Sequence, residues 1–129
     1  SLGAPIGAVL AGSQEFIEEA WYYKFQQGGG MHQAGILAAG CLYALEHNLK
    51  RLKDLHLKAK RLANLLHSLP FIILNPDHVE TNILCFEINH PVLNAYHLEA
   101  LLKEKSIRVL ALDQKVIRVV IHLDITEAD

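Results

Sequence analysis

Two stretches of this sequence carry residue types that could do chemistry. The first is Gln27-Gly28-Gly29-Gly30-Met31-His32-Gln33, a glycine run read as opening a helix. Free N–H groups at a helix start, reinforced by the helix dipole, attract phosphate or carboxylate, and glycine lets an anion approach the backbone. No Walker or dinucleotide spacing accompanies it, so three glycines that only turn the chain between two helices explain the run as well. The second is Arg118, in Lys115-Val116-Ile117-Arg118-Val119-Val120-Ile121-His122. Strand alternation puts Val116, Arg118, Val120 and His122 on one face, a guanidinium between valines and beside an imidazole. Its planar fork suits a carboxylate. An internal bridge to Glu87 is the first expectation; a substrate carboxylate or plain exposure to water are the alternatives.

Other reactive types are poorly spaced. His47, His56 and His67 are too far apart for an i, i+4 ligand pair, and no HExxH or Cys-His cluster occurs, so no metal site is expected. Ser1, Ser13, Ser68 and Ser106 fall at a terminus, a cap or turns, without a nucleophile elbow. Trp21, Tyr22 and Tyr23 form an aromatic cluster that packing explains.

The elements that must position these residues follow from hydrophobic period. Ile6 to Ala11 has the length of a buried strand. Ser13 caps a helix running to about Gln27, and Met31 to His47 forms a second helix rich in small residues that invites a close neighbour. From Leu49 to Leu69 apolar residues recur in steps of three and four, giving one long striped helix closed by Pro70. Strands are then expected over Phe71 to Leu74 and Thr81 to Ile88, a helix over Asn94 to Lys105, and strands over Ile107 to Leu112 and Val116 to Leu123. The final stretch, Asp124 to Asp129, resembles a helix N-terminus without its helix, as if the chain were cut from something longer.

Composition agrees with an ordinary globular chain. The 129 residues are 51% hydrophobic and 20% charged, with net charge -2, which excludes disorder and disfavours nucleic acid as a partner. No apolar stretch is long enough for a membrane span, and no signal peptide is evident. Cys41 and Cys85 lie among apolar residues without CxxC spacing, so buried thiols in a reducing, cytoplasmic compartment are expected.

Taken in order, a set of short motifs resembles the C-terminal part of the low-specificity L-threonine aldolases. They are Leu2-Gly3-Ala4-Pro5-Ile6-Gly7, Gly12 with Phe16-Ile17, Gly28-Gly29-Gly30-Met31 with Gln33-Ala34-Gly35-Ile36-Leu37-Ala38-Ala39, Tyr43-Ala44-Leu45, Arg51-Leu52 with His56 and Ala59, Glu80-Thr81-Asn82, and Arg118 with His122 and Asp124. The resemblance implies the aspartate-aminotransferase fold, α/β passing to α+β. Residues 1–48 would close a large domain that binds pyridoxal 5'-phosphate, 49–69 would be a linking helix, and 70–129 a small, truncated C-terminal α+β domain.

It further implies cleavage of L-threonine and L-allo-threonine to glycine and acetaldehyde in a homo-oligomer, dimer or tetramer, built with the rest of the large domain. The Schiff-base lysine would immediately precede Ser1, leaving no catalytic residue in this chain and the fragment alone inactive. Arg118 matches the arginine that binds the substrate carboxylate. Gly28, Gly29 and Gly30 match a loop that reaches the phosphate of a neighbouring subunit's cofactor. Where the family carries arginine after the glycines and methionine this chain has His32, and the basic residue three positions before them is Phe25, beside Lys24. Either His32 is protonated by the phosphate or Lys24 substitutes. A related β-eliminating lyase, an aldolase of another β-hydroxy amino acid, and a non-catalytic oligomerisation module are the alternatives.

Overall fold

A computed structural model describes residues 1–126. Residues 127–129, within the suggested helix N-terminus, lie outside the described residues. The chain divides into two compact units, Leu2–Leu49 and Lys50–Asp129, with Ser1 grouped with the second.

In the first unit, α1 (Gln14–Gln26) starts where Ser13 Oγ accepts from the Phe16 N–H at 3.3 Å, the cap expected from its hydroxyl. It ends in the glycines: Gly28 N–H donates to the Phe25 carbonyl at 3.1 Å and Gly29 N–H to the Lys24 carbonyl at 2.7 Å. Gly28 has φ 72°, a left-handed turn that glycine enters without a Cβ penalty. A Cβ on Gly29 would lie 2.9 Å from the Lys24 carbonyl oxygen, so that position also excludes a side chain.

The glycine run therefore closes α1 instead of opening the next helix. Residues 32–34 form a turn, with Gln33 at φ 55°, and α2 spans Gly35–Asn48. The close neighbour expected for this helix is Pro5, whose Cδ lies 3.1 Å from where a Cβ on Gly40 would stand. The Cys41 thiol donates to the Ile6 carbonyl at 2.7 Å, and Asn48 Nδ2 donates to the Leu2 carbonyl at 2.7 Å.

The strand expected over Ile6 to Ala11 is not formed, and Val9 is 96% exposed. A strand needs a neighbour to take its backbone hydrogen bonds, and none exists in this unit among the described residues. Ala44 is the one buried hydrophobic residue of the two helices.

The second unit has its own core. The stripe expected from Leu49 splits into a 3-10 turn, Leu49–Arg51, and α3 (Leu52–His67), whose Leu55, Ala59 and Ala63 are buried. Strands β1 (Ile72–Ile73), β2 (Ile83–Ile88), β3 (Leu110–Ala111) and β4 (Val116–Val120) form an antiparallel sheet in the order β1-β2-β4-β3. Between β2 and β3, α4 (Ala95–Glu104) is capped by Asn94 Oδ1, which accepts from the His97 N–H at 2.9 Å. Strand β3 is shorter than the Ile107 to Leu112 expected.

Alternation sorts this sheet cleanly. Ile72, Leu84, Phe86, Ile88 and Ile117 are buried in a core that includes α3's stripe and Ala95 of α4. The same-face residues of the other side are Ile73, Ile83, Cys85, Glu87, Leu110, Val116, Arg118 and Val120, and none of them is buried. Among the described residues of this unit, that face carries no covering helix.

Candidate functional site

Arg118 sits in the middle of this open face. Its backbone pairs with Cys85 on one side and Leu110 on the other, and the residue is half-buried. The Glu87 bridge expected from sequence is not made. Glu87 lies opposite Val116, one pair along the same face, and its Oε1 is 3.7 Å from Lys115 Nζ. The lysine, whose ammonium sits on a flexible stem at the strand's start, takes the carboxylate that the arginine would need. Among the described residues Arg118 has neither ion pair nor side-chain hydrogen bond, leaving its donor fork available to an external acceptor.

His122 is not its ladder neighbour. It lies two residues past the end of β4, where its ring is 3.6 Å from Asp124 Oδ2. The thiols are also not buried as expected: Cys85 is exposed on the Arg118 face and Cys41 is half-buried. A depression of about 430 Å³ opens on this face beside Ile73, Asn75, Ile83, Cys85, Glu87 and Val116. His78, Leu84 and Phe86 also line it, and Arg118 does not.

The turn before β4 is held by Asp113, whose Oδ1 accepts from the Lys115 N–H at 2.7 Å and the Val116 N–H at 2.8 Å. Those two bonds hold its carboxyl below the usual aspartate range. Residue type gave no hint of this role beyond a possible turn; the signal was Asp at the first position of a tight connection, where its side chain can accept N–H groups two and three residues on. Asn82, met in the sequence as part of the Glu80-Thr81-Asn82 motif but given no role there, is 3% exposed and linked to Ser1 and Ile121.

The glycine run belongs to the other unit and is described by itself. Gly28 and Gly29 spend their N–H groups on the end of α1, whereas the Gly30 N–H makes no bond to the chain among the described residues. Lys24 Nζ lies 4.2 Å from the centre of the Trp21 ring, a cation–π contact that parks the charge on α1's own surface. His32 is exposed in the turn that follows. Among the described residues no group of His, Cys, Asp and Glu could hold a metal. No helix of the described residues is long and apolar enough to cross a membrane.

Comparison with known proteins decides the family. The model for beta-eliminating lyases matches residues 1–89, more than half of the sequence. The chain belongs to the beta-eliminating lyase family. Within it, the sequence is 42% identical over 129 residues to low-specificity L-threonine aldolase 1 of Arabidopsis thaliana, covering 99% of this chain and 36% of that protein. It is 34% identical over 125 residues to the low specificity L-threonine aldolase of Escherichia coli K12, covering 97% of this chain and 35% of that protein. A 64-residue stretch, half of this chain and 17% of the relative, is 47% identical to the Candida albicans enzyme of the same name. The lyase-family chain thus spans about a third of the length of the relatives it matches. Its mixed helix and antiparallel-sheet content fits the family.

Proposed function

We propose that this chain is the C-terminal part of a pyridoxal-phosphate-dependent aldolase that cleaves L-threonine and L-allo-threonine to glycine and acetaldehyde. The observation that carries the reading is Arg118, a permanent cation on a sheet face that no helix of its own unit covers among the described residues, with Glu87 on the same face engaged by Lys115. A guanidinium so placed receives an amino acid's carboxylate through two parallel hydrogen bonds and fixes the orientation of its α-carbon. Similarity along nearly the whole chain to proteins named threonine aldolases supports that substrate class.

The residues present fit the outer parts of the cofactor. The Gly30 N–H, unbonded among the described residues, and the exposed His32 have the chemistry to meet a phosphate, and Lys24 could leave Trp21 to do so. When bound, pyridoxal phosphate supplies an electron sink for breaking the bond to the β-carbon. In this reading its ring and its lysine belong to polypeptide outside the 129 residues, the lysine immediately before Ser1, so the chain by itself does not catalyse. Arg118's part is to bind and orient. The active protein is then a cytoplasmic homo-oligomer of the aspartate-aminotransferase fold in which residues from neighbouring subunits meet.

The family's name favours a second reaction, β-elimination, and one assay separates the two. Full-length protein with pyridoxal phosphate and L-threonine should yield glycine and acetaldehyde in equal amounts. Formation of ammonia and a 2-oxo acid without glycine would identify a β-eliminating lyase instead.

A further inference from the structure

Glu80-Thr81-Asn82 is the motif that carboxylate and phosphate binding leave unexplained. Among the described residues, Asn82 is the one polar residue in the buried set, at 3% exposure. Both polar atoms of its side chain are in use. Nδ2 donates to the Ile121 carbonyl at 2.8 Å, and Oδ1 accepts from Ser1 Oγ at 2.7 Å. Its backbone carbonyl also accepts from the Ile121 N–H at 2.8 Å, which carries the β2–β4 pairing one step past Ile83 and Val120.

The bonds to Ile121 are explained by register, since they close the end of the ladder next to β4. The bond to Ser1 is different in kind. It joins positions 81 residues apart, and Ser1 alone of the first 49 residues groups with the sheet unit. A buried amide oxygen without a partner is costly, so Asn82 holds the serine instead of leaving it to water.

We propose that Asn82 is a positioning residue for the reaction: it ties Ser1 to the exit of β4, three residues from Arg118, and so fixes where the residue before Ser1 stands relative to the carboxylate-binding guanidinium. This rests on the reading above, in which that preceding residue is the cofactor's lysine. Asn82 itself touches neither cofactor nor substrate. It acts through Ser1.

The test uses full-length protein loaded with pyridoxal phosphate. Ser1→Ala removes one hydroxyl and leaves the Asn82–Ile121 bonds in place. It should lower kcat for threonine cleavage about fivefold, the rate equivalent of one hydrogen bond, with KM unchanged because Arg118 is untouched. It should also move the pH at which the absorbance of the lysine-bound cofactor titrates, without moving the thermal midpoint. Ser1→Thr should restore both values. Adding Ser1→Ala to Asn82→Ala should cause no further fall, because the bond is already gone. Should Asn82→Ala fail to fold, Ser1→Ala still decides the matter. A Ser1→Ala protein with unchanged kcat and unchanged titration overturns the proposal. Replacing the residue before Ser1 by alanine separates the two levels. Persistence of the lysine-bound absorbance there overturns the underlying reading, whereas its loss beside a silent Ser1→Ala overturns the role of Asn82 alone.

Discussion

Glu87 and Arg118 share one face of the sheet, yet Glu87 turns to Lys115, with Oε1 3.7 Å from Nζ, and stands opposite Val116 instead of Arg118. A single step of register thus decides the character of the arginine. Paired, it would have been a strut between β2 and β4. Unpaired among the described residues, with Cys85 and Leu110 opposite it on the neighbouring strands, its donors stay open to an external acceptor.

Asp113 makes one prediction about pH. Its carboxyl is held below the ordinary aspartate value by the Lys115 and Val116 N–H groups, so the charged form is favoured by folding. A group with a lowered folded pKa stabilises above its unfolded value and loses that contribution as pH falls through the folded one. Asp113→Ala should therefore lower the denaturant midpoint at pH 7. The gap between variant and parent should narrow below about pH 4, where the carboxyl is taking up its proton. Urea titrations at neutral and acid pH measure it, and a gap that widened on acidification would contradict the assignment.

Core packing makes a second. Ile117 is fully buried, between β2 and β3 on the face that meets α3 and α4. Ile117→Ala should cost about 2–5 kcal/mol, and Ile117→Val about 1 kcal/mol, from lost burial and the residual cavity. Equilibrium unfolding measures both. Its neighbour in sequence, Arg118, should tolerate truncation far better in the same experiment, since among the described residues it has no side-chain partner to orphan.

His32 makes a third. An arginine keeps its charge at neutral pH where an imidazole keeps only part of it. His32→Arg in the full-length protein should tighten pyridoxal-phosphate binding, read from the dissociation constant of the cofactor. An unchanged or weaker affinity would show that His32 does not meet the phosphate.

The sheet unit was legible because its signals are local and repeated. Alternation in Ile83 to Ile88 set Leu84, Phe86 and Ile88 inward, and the stripe through Leu55, Ala59 and Ala63 named the helix face that covers them. The first unit misled for a physical reason. Ile6 to Ala11 has strand composition, but strand structure is completed by neighbours, and none exists for it among the described residues of that unit. The glycine run was legible as a break and not as to which helix it served, because Gly29 can end a helix as readily as Gly30 can precede one. Arg118's face followed from alternation, whereas its lack of a partner among the described residues depended on register between strands about thirty residues apart in sequence, which no local pattern encodes.

Substitution of Arg118 in the full-length protein tests the central claim most directly. Arg118→Leu should raise KM for L-threonine by roughly 10- to 100-fold, as loss of a charge-assisted bidentate pair implies. Arg118→Lys should fall between leucine and the parent, and thermal stability should stay near that of the parent in both. A leucine variant that binds and cleaves threonine with unaltered KM would contradict the account.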